Sequence, residues 1–90
     1  MDIKIGNHVI INLDCTLGHD DVIKGFVTIY PSVNVSGNVT VGECSELGNG
    51  MQIIQGKDIV PNSIIGAGTV VVKNIDESGI YVWSPVRKIK

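Results

Sequence analysis

The sequence predicts an all-β fold, a parallel β-helix wound from a six-residue repeat. Three observations carry this reading. Every sixth residue from Ile5 is aliphatic: Ile5, Ile11, Leu17, Ile23, Ile29, Val35, Val41, Leu47, Ile53, Ile59, Ile65 and Val71. A second column stands four residues after each of these, and ten of its twelve members are small or apolar: Val9, Cys15, Asp21, Val27, Val33, Val39, Ser45, Met51, Lys57, Ser63, Thr69 and Ile75. Finally, the apolar content of 43% is mostly Ile and Val, with only 4% aromatic residues, and β-branched side chains favour strands over helices.

Each hexad reads as a short strand followed by a corner. The second column also lies two residues before the next aliphatic, so the two columns share one face of a strand. A helix would need apolar spacings of three and four, which are absent, and a hairpin sheet would need turn clusters at wider, irregular intervals. Gly follows the aliphatic at Gly6, Gly18, Gly42, Gly48 and Gly66, where a corner with positive φ is expected. The charged members of the second column, Asp21 and Lys57, are expected to mark places where the pattern bends. The repeat tolerates no insertion between residues 5 and 71.

After Val71 the register ends. Lys73-Asn74-Ile75-Asp76-Glu77-Ser78-Gly79 reads as a polar turn and Ile80-Tyr81-Val82-Trp83 as a short strand that Ser84-Pro85 breaks. The basic tail Val86-Arg87-Lys88-Ile89-Lys90 is expected to cap the open coil, since terminal repeats need capping. Residues 1–90 are thus expected to form a single domain, with repeats over about 3–76 and the C-terminal strand and tail over 77–90.

The bulk properties exclude several classes. A net charge of −2, with no run of like charge, gives no footprint for nucleic acid or an anionic membrane. The apolar stretches are far short of a membrane span, and Met1-Asp2-Ile3-Lys4 is no signal peptide, so a cytoplasmic protein is expected. Cys15 and Cys44 form neither a metal spacing nor a CxxC motif and read as reduced, buried thiols.

The chemistry-bearing stretch is Leu17-Gly18-His19-Asp20-Asp21-Val22-Ile23, which holds one of two histidines beside two carboxylates. His19 lies two places past its aliphatic, at a corner facing solvent or a neighbouring subunit. A carboxylate there can orient the imidazole. His8 reads as a surface corner residue.

The repeat, aliphatic-Gly-x-x-small-x, resembles the hexapeptide-repeat acyltransferase family. More specific runs resemble the acetyltransferases of sialic acids and nucleotide-linked amino sugars. These are Ile11-Asn12, Gly18-His19-Asp20, Gly25-Phe26, Gly37-Asn38-Val39-Thr40-Val41-Gly42, Ser63-Ile64-Ile65-Gly66-Ala67-Gly68-Thr69-Val70-Val71-Val72-Lys73 and Gly79-Ile80-Tyr81-Val82. The resemblance implies a left-handed parallel β-helix with three hexads to each 18-residue coil. That gives about four coils with a short C-terminal cap, assembled as a homotrimer. Handedness comes from the resemblance alone, because local chirality favours right-handed crossovers.

The resemblance also implies an acetyl-CoA-dependent O- or N-acetyltransferase acting on a sugar or nucleotide-sugar acceptor, with acetyl-CoA as co-substrate and no metal. With a period of 18, His19 lies beside Gly37, then Gln55, then Lys73. His19 would be the general base and Asp20 would orient it. Gly37 would offer a backbone N–H to the thioester carbonyl. Asn49, Ala67 and Gly68 would line the pantetheine groove between subunits. Lys73, Arg87 and Lys88 would meet the coenzyme's phosphates. Asn12, near His19 by the family match, would hold the acceptor or the imidazole.

Two departures qualify the match. Relatives in the sugar-modifying group usually carry an N-terminal α/β domain, whereas here the first hexad follows almost directly on Met1. Trp83 stands where the family tail has glycine, and is expected either to block the coenzyme groove or to stack on the adenine. Both departures keep a second expectation open, a catalytically silent trimerisation or binding module. A zinc hydratase on the same fold needs three histidines, and only His8 and His19 are present. A threonine ladder for ice binding is absent, because Thr16, Thr28, Thr40 and Thr69 form no column at 18.

Overall fold

A computed structural model describes residues 2–82 and 86–90. Trp83, with its two expected roles, lies outside the described residues. Among the described residues there are fourteen short strands and no helix. The first six are β1 (Lys4–Ile5), β2 (Ile10–Ile11), β3 (Thr16–Leu17), β4 (Val22–Ile23), β5 (Thr28–Ile29) and β6 (Asn34–Val35). The next six are β7 (Thr40–Val41), β8 (Glu46–Leu47), β9 (Gln52–Ile53), β10 (Asp58–Ile59), β11 (Ile64–Ile65) and β12 (Val70–Val71). The last two are β13 (Ile80–Val82) and β14 (Arg87–Lys88).

Every third strand stacks on the one before it, giving three parallel sheets and a triangular solenoid of about four turns. The first sheet runs β1-β4-β7-β10, the second β2-β5-β8-β11-β13-β14 and the third β3-β6-β9-β12. Lys4 faces Val22, Thr16 faces Asn34 and Glu46 faces Ile64, each pair 18 residues apart (22 − 4, 34 − 16, 64 − 46). Beyond residue 71 the step shortens to 16: Ile75 bridges Ile59 and Ile80 faces Ile64 (75 − 59, 80 − 64). The polar turn therefore still buries one core residue, Ile75.

The interior is built from the two columns. From Ile23 onward all nine aliphatics of the first column are buried, and so are Val27, Val33, Val39, Met51 and Ile75 of the second. Stacking identical columns removes their apolar area from water at roughly 25 cal/mol per Å². The first coil has no neighbour on one side, so Ile5 is 50% and Ile11 39% exposed. The other end is covered. Tyr81 takes the aliphatic position above Ile65 and donates through its hydroxyl to Glu77 O at 2.6 Å. β14 pairs antiparallel with β13, and buried Val86 donates its N–H to Val70 O at 3.0 Å. The basic tail caps the coil as expected.

Three expectations are corrected. The glycines that follow the aliphatics do not have positive φ. They serve close approach instead: a Cβ would come within 2.4 Å of Gly37 N at Gly18, 2.3 Å of Pro61 N at Gly42 and 2.6 Å of Ala67 N at Gly48. Positive φ falls two residues later in the hexad, at His8, Asp14, Asp20, Phe26, Ser32, Asn38, Cys44, Gly50, Gly56, Asn62 and Gly68. The chain also does not bend at Asp21, because the following strand keeps its register on Thr40. Of the two thiols, Cys15 is half-buried and Cys44 is exposed on a left-handed corner, so the expected burial fails at Cys44.

Candidate active site

The solenoid has three edges, one following each sheet. The edge after the third sheet carries residues 18–21, 36–39, 54–57 and 72–75, one group per coil. His19 and Asp20 stand on it in the first coil. Their side chains are 59% and 54% exposed, and His19 Nδ1 lies 3.2 Å from Asp20 Oδ2. Asp20 adopts φ +63°, a left-handed conformation that carboxylate and amide side chains tolerate better than most.

One coil on, Gly37 lies directly against the imidazole. A Cβ at Gly37 would stand 3.2 Å from Cε1 and Nε2 of His19 and 3.2 Å from its carbonyl oxygen. The register is fixed by two hydrogen bonds, Asn38 N–H to His19 O and Gly56 N–H to Gly37 O, both 3.0 Å. Among the described residues nothing accepts from Gly37 N–H. The juxtaposition expected from the 18-residue period is therefore present, with the Cβ face of Gly37 turned to the imidazole.

Asp21, which the sequence reading took only as a flaw in the column, is fully buried behind this pair. Its Oδ2 accepts from Gly18 N–H at 2.7 Å and its Oδ1 from Val39 N–H at 2.9 Å. Burial holds its carboxyl above the ordinary range, against the two N–H bonds and the nearby His19, which pull it down, while Asp20 adds to the rise. The signal that could have found it is the column itself, since an acid at a core position needs donors.

The other expected residues are dispersed. Asn12, Asn49, Ala67 and Gly68 lie on the edge after the second sheet, one sheet width from His19 within the chain. Asn12 donates through Nδ2 to Ile29 O at 3.0 Å, and Gly68 N–H donates to Asn49 O at 2.9 Å. The expected nearness of Asn12 to His19 is thus not met inside one chain, because the hexad count puts them on successive edges. Lys73 sits on the His19 edge three coils along, about 14 Å away at 4.8 Å per coil. It shares a cavity of about 210 Å³ with Lys88, Asn74, Asp76, Glu77 and Tyr81. Arg87 is not part of that lining. His8 is a surface corner residue, stacked on exposed Phe26 with ring centroids 5.0 Å apart.

Among the described residues no cluster of three His, Cys, Asp or Glu side chains could hold a metal, and no helix is long and apolar enough to cross a membrane.

No protein-family model matches the chain. A Saccharomyces cerevisiae protein provisionally named an acetyltransferase is 38% identical over 52 residues, which are 58% of this chain and 26% of that protein. A variant of perosamine N-acetyltransferase from Caulobacter crescentus, solved with CoA and GDP-perosamine, superposes with a TM-score of 0.96 at 31% identity over 99% of this chain and 42% of its own. The acetyltransferase domain of PglB from Neisseria gonorrhoeae, solved with acetyl coenzyme A, gives a TM-score of 0.87 at 32% identity over 90% of this chain and 40% of its own. The structural neighbours are thus hexapeptide-repeat sugar N-acetyltransferase domains, and the shared solenoid is consistent with left-handed winding. The chain spans 26% to 42% of the length of these proteins.

Proposed function

We propose that the chain forms the catalytic β-helix of an acetyl-CoA-dependent acetyltransferase, with a sugar or nucleotide-sugar amine or hydroxyl as acceptor. The observation that carries this reading is the imidazole of His19 lying against Gly37 of the next coil, with Asp20 at its Nδ1. The likeness to sugar acetyltransferases solved with acetyl-CoA or with CoA and a nucleotide-sugar supports the same class.

In this reading the two ring nitrogens have separate roles. Nδ1–H donates to Asp20 Oδ2, and the lone pair then stands on Nε2, on the side of Gly37. Nε2 removes the proton from the acceptor as its nitrogen or oxygen attacks the thioester carbonyl. The carbonyl oxygen gains negative charge and is stabilised by Gly37 N–H. When the carbon–sulfur bond breaks, the imidazolium returns its proton to the departing thiolate. The acetyl group moves directly to the acceptor without a covalent enzyme intermediate, because the thioester is already activated.

The dispersal of the remaining residues argues for assembly. Within one chain His19 and Gly37 occupy one edge, and Asn12, Asn49, Ala67 and Gly68 another. A homotrimer that sets the first edge of one subunit against the second edge of its neighbour unites them in a cleft. Lys73 and Lys88 stand at the capped end of the His19 edge, where a phosphate of the coenzyme would meet two ammonium groups. Such a reaction belongs in the cytoplasm, with its acetyl-CoA.

Calorimetric titration of acetyl-CoA, followed by turnover with free and nucleotide-linked amino sugars, tests the reading. Binding and transfer are expected, and His19→Ala should lose about 10²- to 10⁴-fold in kcat with little change in coenzyme affinity. No heat at millimolar coenzyme would leave a silent binding module in its place. A mass of one chain by light scattering would remove the shared cleft.

A further inference from the structure

At one position of the hexad, the residue after the first-column aliphatic, the hydrogen bonding of the described residues is uniform except at one corner. At each corner with a coil stacked on it, the residue after the first-column aliphatic donates its N–H to a backbone carbonyl of the next coil. Gly6 donates to Ile23 O, Asn12 to Ile29 O, Lys24 to Val41 O, Ser36 to Ile53 O and Ile54 to Val71 O. Among the described residues at this position, Gly18 alone gives its N–H to a side chain, Asp21 Oδ2, at 2.7 Å. The other carboxylate oxygen takes Val39 N–H from the next coil at 2.9 Å. Asp21 therefore grips both segments that form the His19–Gly37 contact. One grip lies just before His19 and the other two residues after Gly37.

We propose that Asp21 is a positioning residue for the transfer reaction: its buried carboxylate ties the corner carrying His19 to the strand entry after Gly37 and so holds the imidazole over Gly37. A buried carboxylate in an aliphatic column is costly to desolvate and contributes less to stability than an apolar residue of similar size. The same column carries Val at 27, 33 and 39, so nothing in the fold requires an acid there. The departure at this position of the hexad also coincides with the corner that carries the His–Asp pair.

This inference rests on His19 as the base, so its test includes a readout that needs no turnover. Asp21→Ser gives the corner the bonding seen at Ser45 and Ser63. There Ser45 Oγ accepts from Ser63 N–H of the next coil at 3.2 Å, and Ser63 Oγ donates to the carbonyl three residues back. Asp21→Val gives it the commonest residue of the column. In the wild type, Cε1 of His19 lies close enough to Gly37 for a strong nuclear Overhauser effect between His19 Hε1 and Gly37 Hα.

Both variants are expected to fold with a melting temperature at or above that of the wild type, to lose that Overhauser effect, and to lose tenfold or more in kcat. KM for acetyl-CoA should stay within about twofold, because an interaction made only in the transition state lowers kcat without changing substrate binding. A folded variant of either kind that keeps the Overhauser effect and the wild-type kcat overturns the proposal. Loss of fold in both variants would show a structural acid and overturn it too. A wild type inert toward acetyl-CoA and every acceptor would defeat the transferase reading instead, and the ring contact would still judge the grip of Asp21.

Discussion

The imidazole of His19 rests on the α-carbon of Gly37 so closely that a methyl group there would lie 3.2 Å from Nε2, Cε1 and the His19 carbonyl oxygen. Gly37 is not in a left-handed conformation, so alanine fits its backbone without torsional strain. The extra carbon must then displace the ring by a few tenths of an ångström. Misplacement of a catalytic group by about 1 Å costs about 100-fold in rate. Gly37→Ala is therefore expected to lower kcat about tenfold while stability to urea changes by less than about 1 kcal/mol. Parallel kinetics and denaturation check this, and an unchanged kcat would mean that the ring position is immaterial.

Glycine serves two separate purposes in the hexad, and asparagine distinguishes them. At Gly42 a Cβ would sit 2.3 Å from Pro61 N and 2.7 Å from Pro61 Cδ, so any side chain forces two coils apart. At Gly50 no atom lies within 4 Å of a Cβ, but φ is +72°. Asn38 and Asn62 already occupy the equivalent position at φ +58° and +63°. Gly42→Asn should therefore cost about 2 kcal/mol or more through overpacking. Gly50→Asn should stay within about 0.5 kcal/mol, and Gly50→Ala should lose about 1 kcal/mol through backbone strain alone. Urea midpoints of the three variants give the order, and equal losses at Gly42 and Gly50 would refute the distinction.

How far the sequence revealed this structure depends on what each position is selected for. The first column was legible because a narrow triangular interior stacks aliphatic side chains from coil to coil, and its nine residues from Ile23 to Val71 are buried where expected. The contact of His19 with Gly37 followed from counting once a coil was 18 residues long. The roles of the glycines were not legible, because lack of space and positive φ both select glycine. The signal was nevertheless there. Asp14, Asp20, Asn38, Asn62, Gly50, Gly56 and Gly68 all stand three places past an aliphatic, which is the composition of left-handed corners. Asp21 was opaque for another reason. Whether an acid in a core column distorts the coil or finds donors depends on which backbone N–H groups face it, and that is settled only by the stacking of Gly18 and Val39 around it. Asn12 was set near His19 by analogy, whereas the hexad count puts the two on successive edges of one chain.

Asp21 also sets a pH dependence whose sign can be worked out. Its carboxyl is raised above the ordinary 3.8, chiefly by burial, with the Val39 and Gly18 N–H groups and His19 opposing. A carboxyl whose folded pKa is raised binds its proton more tightly in the native than in the unfolded chain. Its contribution to stability is therefore fully present below 3.8 and is lost as pH rises through the folded value. Asp21→Val removes this titration and leaves every other carboxylate in place. The unfolding free energy of the wild type minus that of the variant should fall as pH rises from 3.8 and level off once Asp21 is ionised. Its slope should be no steeper than about 1.4 kcal/mol per pH unit, the limit for one proton. Urea unfolding of both proteins in acidic buffers measures this difference. A rise with pH would mean that the two backbone donors outweigh desolvation, so that the ionised form is the one the fold prefers.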